Sequence, residues 1–135
     1  MALLEWNQDY SVNVSQMDEQ HRHLISMINR LYESISNGIG DEAVKPVLDE
    51  LLDYTAYHFI SEEKLLEKHG YYGLRQQKKE HETLTWRVLD LRSRYEAGDE
   101  VKPMEMLGFL TDWLKNHLLG SDKEYGAFLN SKGVR

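Results

Sequence analysis

The sequence predicts an all-α protein, an up-down-up-down four-helix bundle with an irregular N-terminal arm and a short C-terminal helix. Two observations carry this. Apolar residues recur at steps of three and four along four separate stretches, the period of a helix with one buried face. Glycines at 38, 40, 70, 98 and 120, with Pro103, punctuate those stretches and leave only short connections. A length of 135 residues suits one domain with a single core, so 1–135 is read as one unit.

The arm, 1–17, carries Trp6, Tyr10, Val12 and Val14 without helical spacing and is expected to lie across the bundle, anchored by Trp6. The first helix is placed at about 18–37, where Leu24, Ile28, Leu31 and Ile35 continue the face begun by His21 and Gly38 stops it. The second is placed at about 41–69, capped by Asp41, with Pro46 in or near its first turn, where the missing N–H costs least. Its stripe is Val44, Leu48, Leu51, Thr55, His58, Glu62 and Leu65. The third, about 73–97, aligns Leu74, Gln77, His81, Leu84, Val88, Leu91 and Tyr95. The fourth, about 103–119, starts at Pro103 and aligns Met106, Leu110, Trp113 and His117. A last short helix covers about 122–130.

Composition excludes several function classes. A formal net charge of −7 argues against nucleic acid, which demands clustered Lys and Arg. No run approaches the roughly 18 apolar residues that span a bilayer, so no membrane insertion is expected. The opening MALLEWNQDYSV lacks the basic region of a secretory signal, and a cytoplasmic location is the expectation. With no cysteine there are no disulfides, thiolate nucleophiles, iron–sulfur clusters or cysteine zinc sites.

The chemistry concentrates on the inner faces. Residues four apart lie one above the other on a helix, so His58 with Glu62, and Gln77 with His81, each project as a pair. His21 and His117 add a nitrogen from the first and fourth helices. Asp122 is five residues from His117, a spacing that a continuous α-helix would not align; Gly120 is expected to break the helix and let Asp122 bend back. A lone inward histidine is ordinarily a satisfied core residue. Four of them around two carboxylates are another matter, because uncompensated buried carboxylates cost several kcal/mol each and no inward Lys or Arg is available at this level. Imidazole and carboxylate together suit iron and its neighbours, so the set is read as a two-metal site. His23 is expected to face solvent, and His69 to close the second helix, where its charge suits the helix dipole. Trp86, Trp113, Tyr54, Tyr57 and Phe109 are read as core or rim packing.

The quoted residues resemble the haemerythrin family, most closely its bacterial members. The likeness runs over nearly the whole chain: Trp6 and SVNV in the arm, MDEQH at 17–21, HFISEE at 58–63, KHGYYGLRQQKKEH at 68–81 and DWLKNHLLGSDKEYG at 112–126. It implies two iron ions with a bridging oxo or hydroxo group, Glu62 and Asp122 as bridges, His21 and His58 on one iron, and His81 and His117 on the other. In the family a third histidine joins the second iron from the first half of an HxxxH pair; here that position is Gln77. An amide oxygen is a poorer donor to iron than imidazole, which favours a weakly held Gln77 or a water in its place.

The resemblance implies a non-haem diiron domain that binds oxygen or senses redox state, with O2 and small anions such as azide and peroxide as partners. It also allows a C-terminal signalling output, such as a diguanylate cyclase or a chemotaxis receptor. The alternatives are a diiron enzyme reducing oxygen, peroxide or nitric oxide at an open site, and an iron-storage bundle. No substrate-binding polar group beyond the ligands is evident, so carriage or sensing is expected over catalysis.

Overall fold

The computed structural model describes residues 3–135. A 3₁₀ turn, Gln8–Tyr10, precedes helices α1 (Ser15–Ser36), α2 (Gly40–Lys68), α3 (Leu74–Glu96) and α4 (Pro103–His117). A π-helical turn, Leu118–Asp122, joins α4 to α5 (Lys123–Ser131). Helix α2 packs against α1 and α3, and α1 against α4, which is the expected four-helix arrangement. The predicted inner faces are buried from His21 to Leu31, from Val44 to Glu62, from Gln77 to Leu91 and from Met106 to Leu110; Leu65, Leu74 and Trp113 are half-buried and Tyr95 is exposed. Trp86, expected in the packing, stands 71% exposed on the outside of α3.

The arm is tied down at several points. Leu4 pairs through both backbone groups with the Asn29 side chain, and Trp6 packs on the main core beneath the Arg22 guanidinium. Helix α1 begins three residues before the expected Asp18. Asp18 instead sits in the first turn and accepts from Ser11 Oγ and from the Val12 N–H, fastening the arm to the helix. Val12 then presses on α5 so closely that a Cβ at Gly126 would lie 2.6 Å from its carbonyl oxygen.

Three local expectations are corrected. Asp41 does not cap α2; the helix starts at Gly40, and Asp41 supplies negative charge to its first turn. Pro46 lies beyond the first turn, inside the helix. It is tolerated there because Glu42, whose carbonyl loses its partner, is exposed to water. Gly120 does not break the chain: it has no positive φ, and the helical backbone runs on through it. By contrast Gly70, at φ +66°, does end α2. It allows the Tyr71 N–H to reach back to the Leu66 carbonyl at 3.0 Å while the two side chains pack together.

Candidate metal centre

The four inward histidines, Glu62, Gln77 and Asp122 all meet in one buried layer, each no more than 4% exposed. Asp122 reaches it because of the π turn. At 3.6 residues per turn a five-residue step leaves two side chains about 140° apart. Widening the ladder to i→i+5 brings them onto one side. His117 Nε2 then lies 3.0 Å from Asp122 Oδ1.

All four histidines turn Nε2 inward, and the two carboxylates divide their oxygens between them. Glu62 Oε2 lies 3.2 Å from His21 and 3.4 Å from His58. Glu62 Oε1 lies 2.9 Å from His81 and 4.0 Å from His117. Asp122 repeats the division, with Oδ2 at 3.2 Å from His21 and Oδ1 toward His117. Two groups therefore have the closeness needed to hold a metal ion, His21–His58–Glu62 and Glu62–His81–His117, and they share Glu62. Gln77 belongs to the second side, its amide nitrogen donating to Glu62 Oε1 and Asp122 Oδ1 and lying 3.4 Å from His117 Nε2.

The outward ring nitrogens of His58, His81 and His117 are held by residues to which the sequence reading gave no role, whereas His21 Nδ1 is buried without a partner. Gln20 Oε1 is 2.6 Å from His58 Nδ1, Glu63 Oε2 is 2.8 Å from His81 Nδ1, and Glu80 Oε1 is 3.1 Å from His117 Nδ1. Such partners fix which nitrogen faces inward and raise its basicity. Each is adjacent in sequence to a ligand-type residue (Gln20 to His21, Glu63 to Glu62, Glu80 to His81), and that adjacency was the available signal. Phe59 stacks on His81 and Trp113 on His117, at centroid distances of 3.8 and 4.4 Å. The Tyr125 hydroxyl donates to Glu62 Oε2.

The electrostatics suit a cation. Every ion-pair partner of Glu62 and Asp122 among the described residues is a histidine, never Lys or Arg. Burial opposes the charge on Glu62, yet His58, His21 and His81 together hold its carboxyl well below the usual range. Burial, outweighing Glu62, pushes His58 down to about 3. His117 goes the other way: burial lowers it, but Asp122, Glu80 and Glu62 raise it to about 10. Glu80 is held at about 2, chiefly by the hydrogen bond from His117. His81 Nε2 and Asp122 Oδ2 are buried without a hydrogen-bond partner. Unsatisfied nitrogen and oxygen donors around two buried carboxylates fit a pair of iron-type cations.

One turn from each histidine lies Leu24, Thr55, Leu84 or Leu114, and these residues line an apolar cavity of about 20 Å³, enough for roughly one water-sized molecule. His23 is on the surface, 3.4 Å from Glu50, and His69 caps the C-terminus of α2, both as expected.

Residues 12–129 match the family model described as the Hemerythrin HHE cation binding domain. The chain is 38% identical over 125 residues to a bacteriohemerythrin of Stenotrophomonas maltophilia, covering 93% of this chain and 80% of that one. It is 36% identical over 132 residues to the bacteriohemerythrin of Methylococcus capsulatus, covering 97% of this chain and all of the other. A crystal structure of wild-type hemerythrin superposes with a TM-score of 0.84 at 35% identity, covering 93% of this chain and 97% of that one.

Proposed function

This chain belongs to the hemerythrin family, and we propose that it holds two iron ions and binds dioxygen beside them. The observation that carries this reading is the division of carboxylate oxygens, each of Glu62 and Asp122 offering one oxygen to either side of the histidine layer. His21 and His58 would hold one iron, His81 and His117 the other, with Glu62 and Asp122 shared. Iron in this setting supplies electrons to a bound oxidant and a Lewis-acidic position for a small anion.

The protein's own residues do the rest. Gln20, Glu63 and Glu80 orient three imidazoles, so that Nε2 faces the centre without reorganisation. Phe59, Trp113 and the leucine layer set an apolar surface against the histidines, a wall that suits an uncharged diatomic guest approaching from that direction. Gln77 leaves its side one imidazole short, so small anions such as azide or peroxide have access there. With only two histidines on each side, the centre suits a sensor of oxygen or redox state better than a carrier, and Asp122, directly before α5, would pass a change at the centre to the C-terminal segment and to any output domain beyond it.

Gln77 also favours a second reading, a diiron enzyme reducing oxygen, peroxide or nitric oxide. No described helix is long and apolar enough to cross a membrane, in keeping with a cytoplasmic setting. Optical spectra of the reduced, oxygenated and reoxidised protein test the reading. A charge-transfer band that appears with oxygen and disappears on its removal is expected; oxidant consumed in multiple turnovers without that band would favour the enzyme.

A further inference from the structure

A file of three tyrosines runs from the buried layer to solvent. Tyr125 is fully buried, with its hydroxyl 2.5 Å from Glu62 Oε2. Its ring meets Tyr71 edge-on at a centroid distance of 6.5 Å, and Tyr71 lies 4.8 Å from Tyr72. Tyr72 is 73% exposed and donates to Glu124 Oε1 at 3.0 Å. Core packing accounts for burying Tyr125 and Tyr71. It does not account for a large exposed aromatic in contact with them, nor for a carboxylate hydrogen-bonded to the phenol at each end of the file.

We propose that Tyr125, Tyr71 and Tyr72 conduct electrons from the protein surface to the metal centre, so that hydrogen peroxide reaching the iron is reduced at the expense of a surface donor. The proposal rests on the diiron reading above. A phenol gives up an electron more readily when its hydroxyl already sits in a hydrogen bond to a carboxylate, and the phenol at each end of the file has one in place. Tyr125 keeps its hydrogen bond to Glu62 while its ring is emptied, and Tyr71 refills the ring. Tyr72, which stands in solvent, loses its proton to water and becomes a neutral radical. A one-electron donor of the ascorbate class then returns a hydrogen atom to it. After two such cycles one hydrogen peroxide and two ascorbate monoanions have become two waters and two ascorbyl radical anions; the O–O bond breaks and two O–H bonds form.

A competing route is less well built. Tyr54 stacks beside His58 at 6.5 Å and contacts the exposed Tyr57 at 5.7 Å. The Tyr54 hydroxyl, however, faces only the Gln20 carbonyl at 3.4 Å, a poor acceptor for a proton.

The experiment adds hydrogen peroxide, without donor, to the iron-loaded full chain, follows it by rapid-freeze electron paramagnetic resonance and gel electrophoresis, and measures iron in the same samples. The wild-type chain is expected to show a tyrosyl radical and dityrosine-linked dimers. Tyr72→Phe should lose the dimers and keep the radical. Tyr125→Phe, and independently Tyr71→Phe, which touches no ligand, should reduce surface cross-linking to background with iron retained; Tyr57→Phe should change nothing. An iron-loaded wild-type chain with no tyrosyl radical overturns the proposal, as do dimers that persist in Tyr71→Phe or vanish in Tyr57→Phe. A chain that takes up no iron overturns the diiron reading itself, an outcome the metal analysis separates from the others.

Discussion

At Glu62 the cost of burial limits what the residue can be for. A fully buried carboxylate costs several kcal/mol unless compensated, and the groups facing this one are His21, His58, His81, His117, Gln77 and Tyr125. Gln77 is the one member of this buried layer that is neither histidine nor carboxylate. On the diiron reading, Gln77→His should slow oxidation of the reduced protein by air and weaken azide binding to the oxidised form, both followed optically; unchanged rates and spectra would separate residue 77 from the metal. The ligand-type residues were legible in the sequence because i,i+4 spacing on a helix fixes which side chains share a face. The partners Gln20, Glu63 and Glu80 were not assigned there, since each acts on a histidine of another helix or another stretch of chain, a relation that only tertiary packing creates.

Among the elements, the four helices and their glycine stops follow from periodicity and positive φ, and their ends fall within a few residues of expectation. The junction after His117 does not. A glycine within a five-residue step reads as a break, whereas the chain solves the same problem by widening one helical turn. The arm's seat on α5 is equally long-range, and it makes a sharp test. Gly126→Ala would drive a methyl to 2.6 Å from the Val12 carbonyl oxygen, and denaturant melts should show a loss of about 1–3 kcal/mol. In the layer above the histidines, Leu84→Ala enlarges the apolar cavity; a loss of about 2–5 kcal/mol is expected, together with faster oxidation of the reduced protein as water enters.

For the whole molecule, packing and metal act on one equilibrium. If two irons bind the folded chain and not the unfolded one, chelation should lower the melting temperature by roughly 10 °C, measured by calorimetry with and without chelator. Alkaline pH should act independently of iron. Burial pushes Tyr54 up to about 12 and raises Tyr71 further. The unfolded chain therefore ionises these phenols first, and stability should fall as pH rises above about 10, with tyrosinate absorbance in the folded protein appearing late. The central claim is that Glu62 and Asp122 are shared by two irons, and iron-to-protein stoichiometry tests it most directly. The wild-type chain should hold two irons, and Glu62→Ala and Asp122→Ala should each lose both; a variant that keeps the full pair would contradict the account.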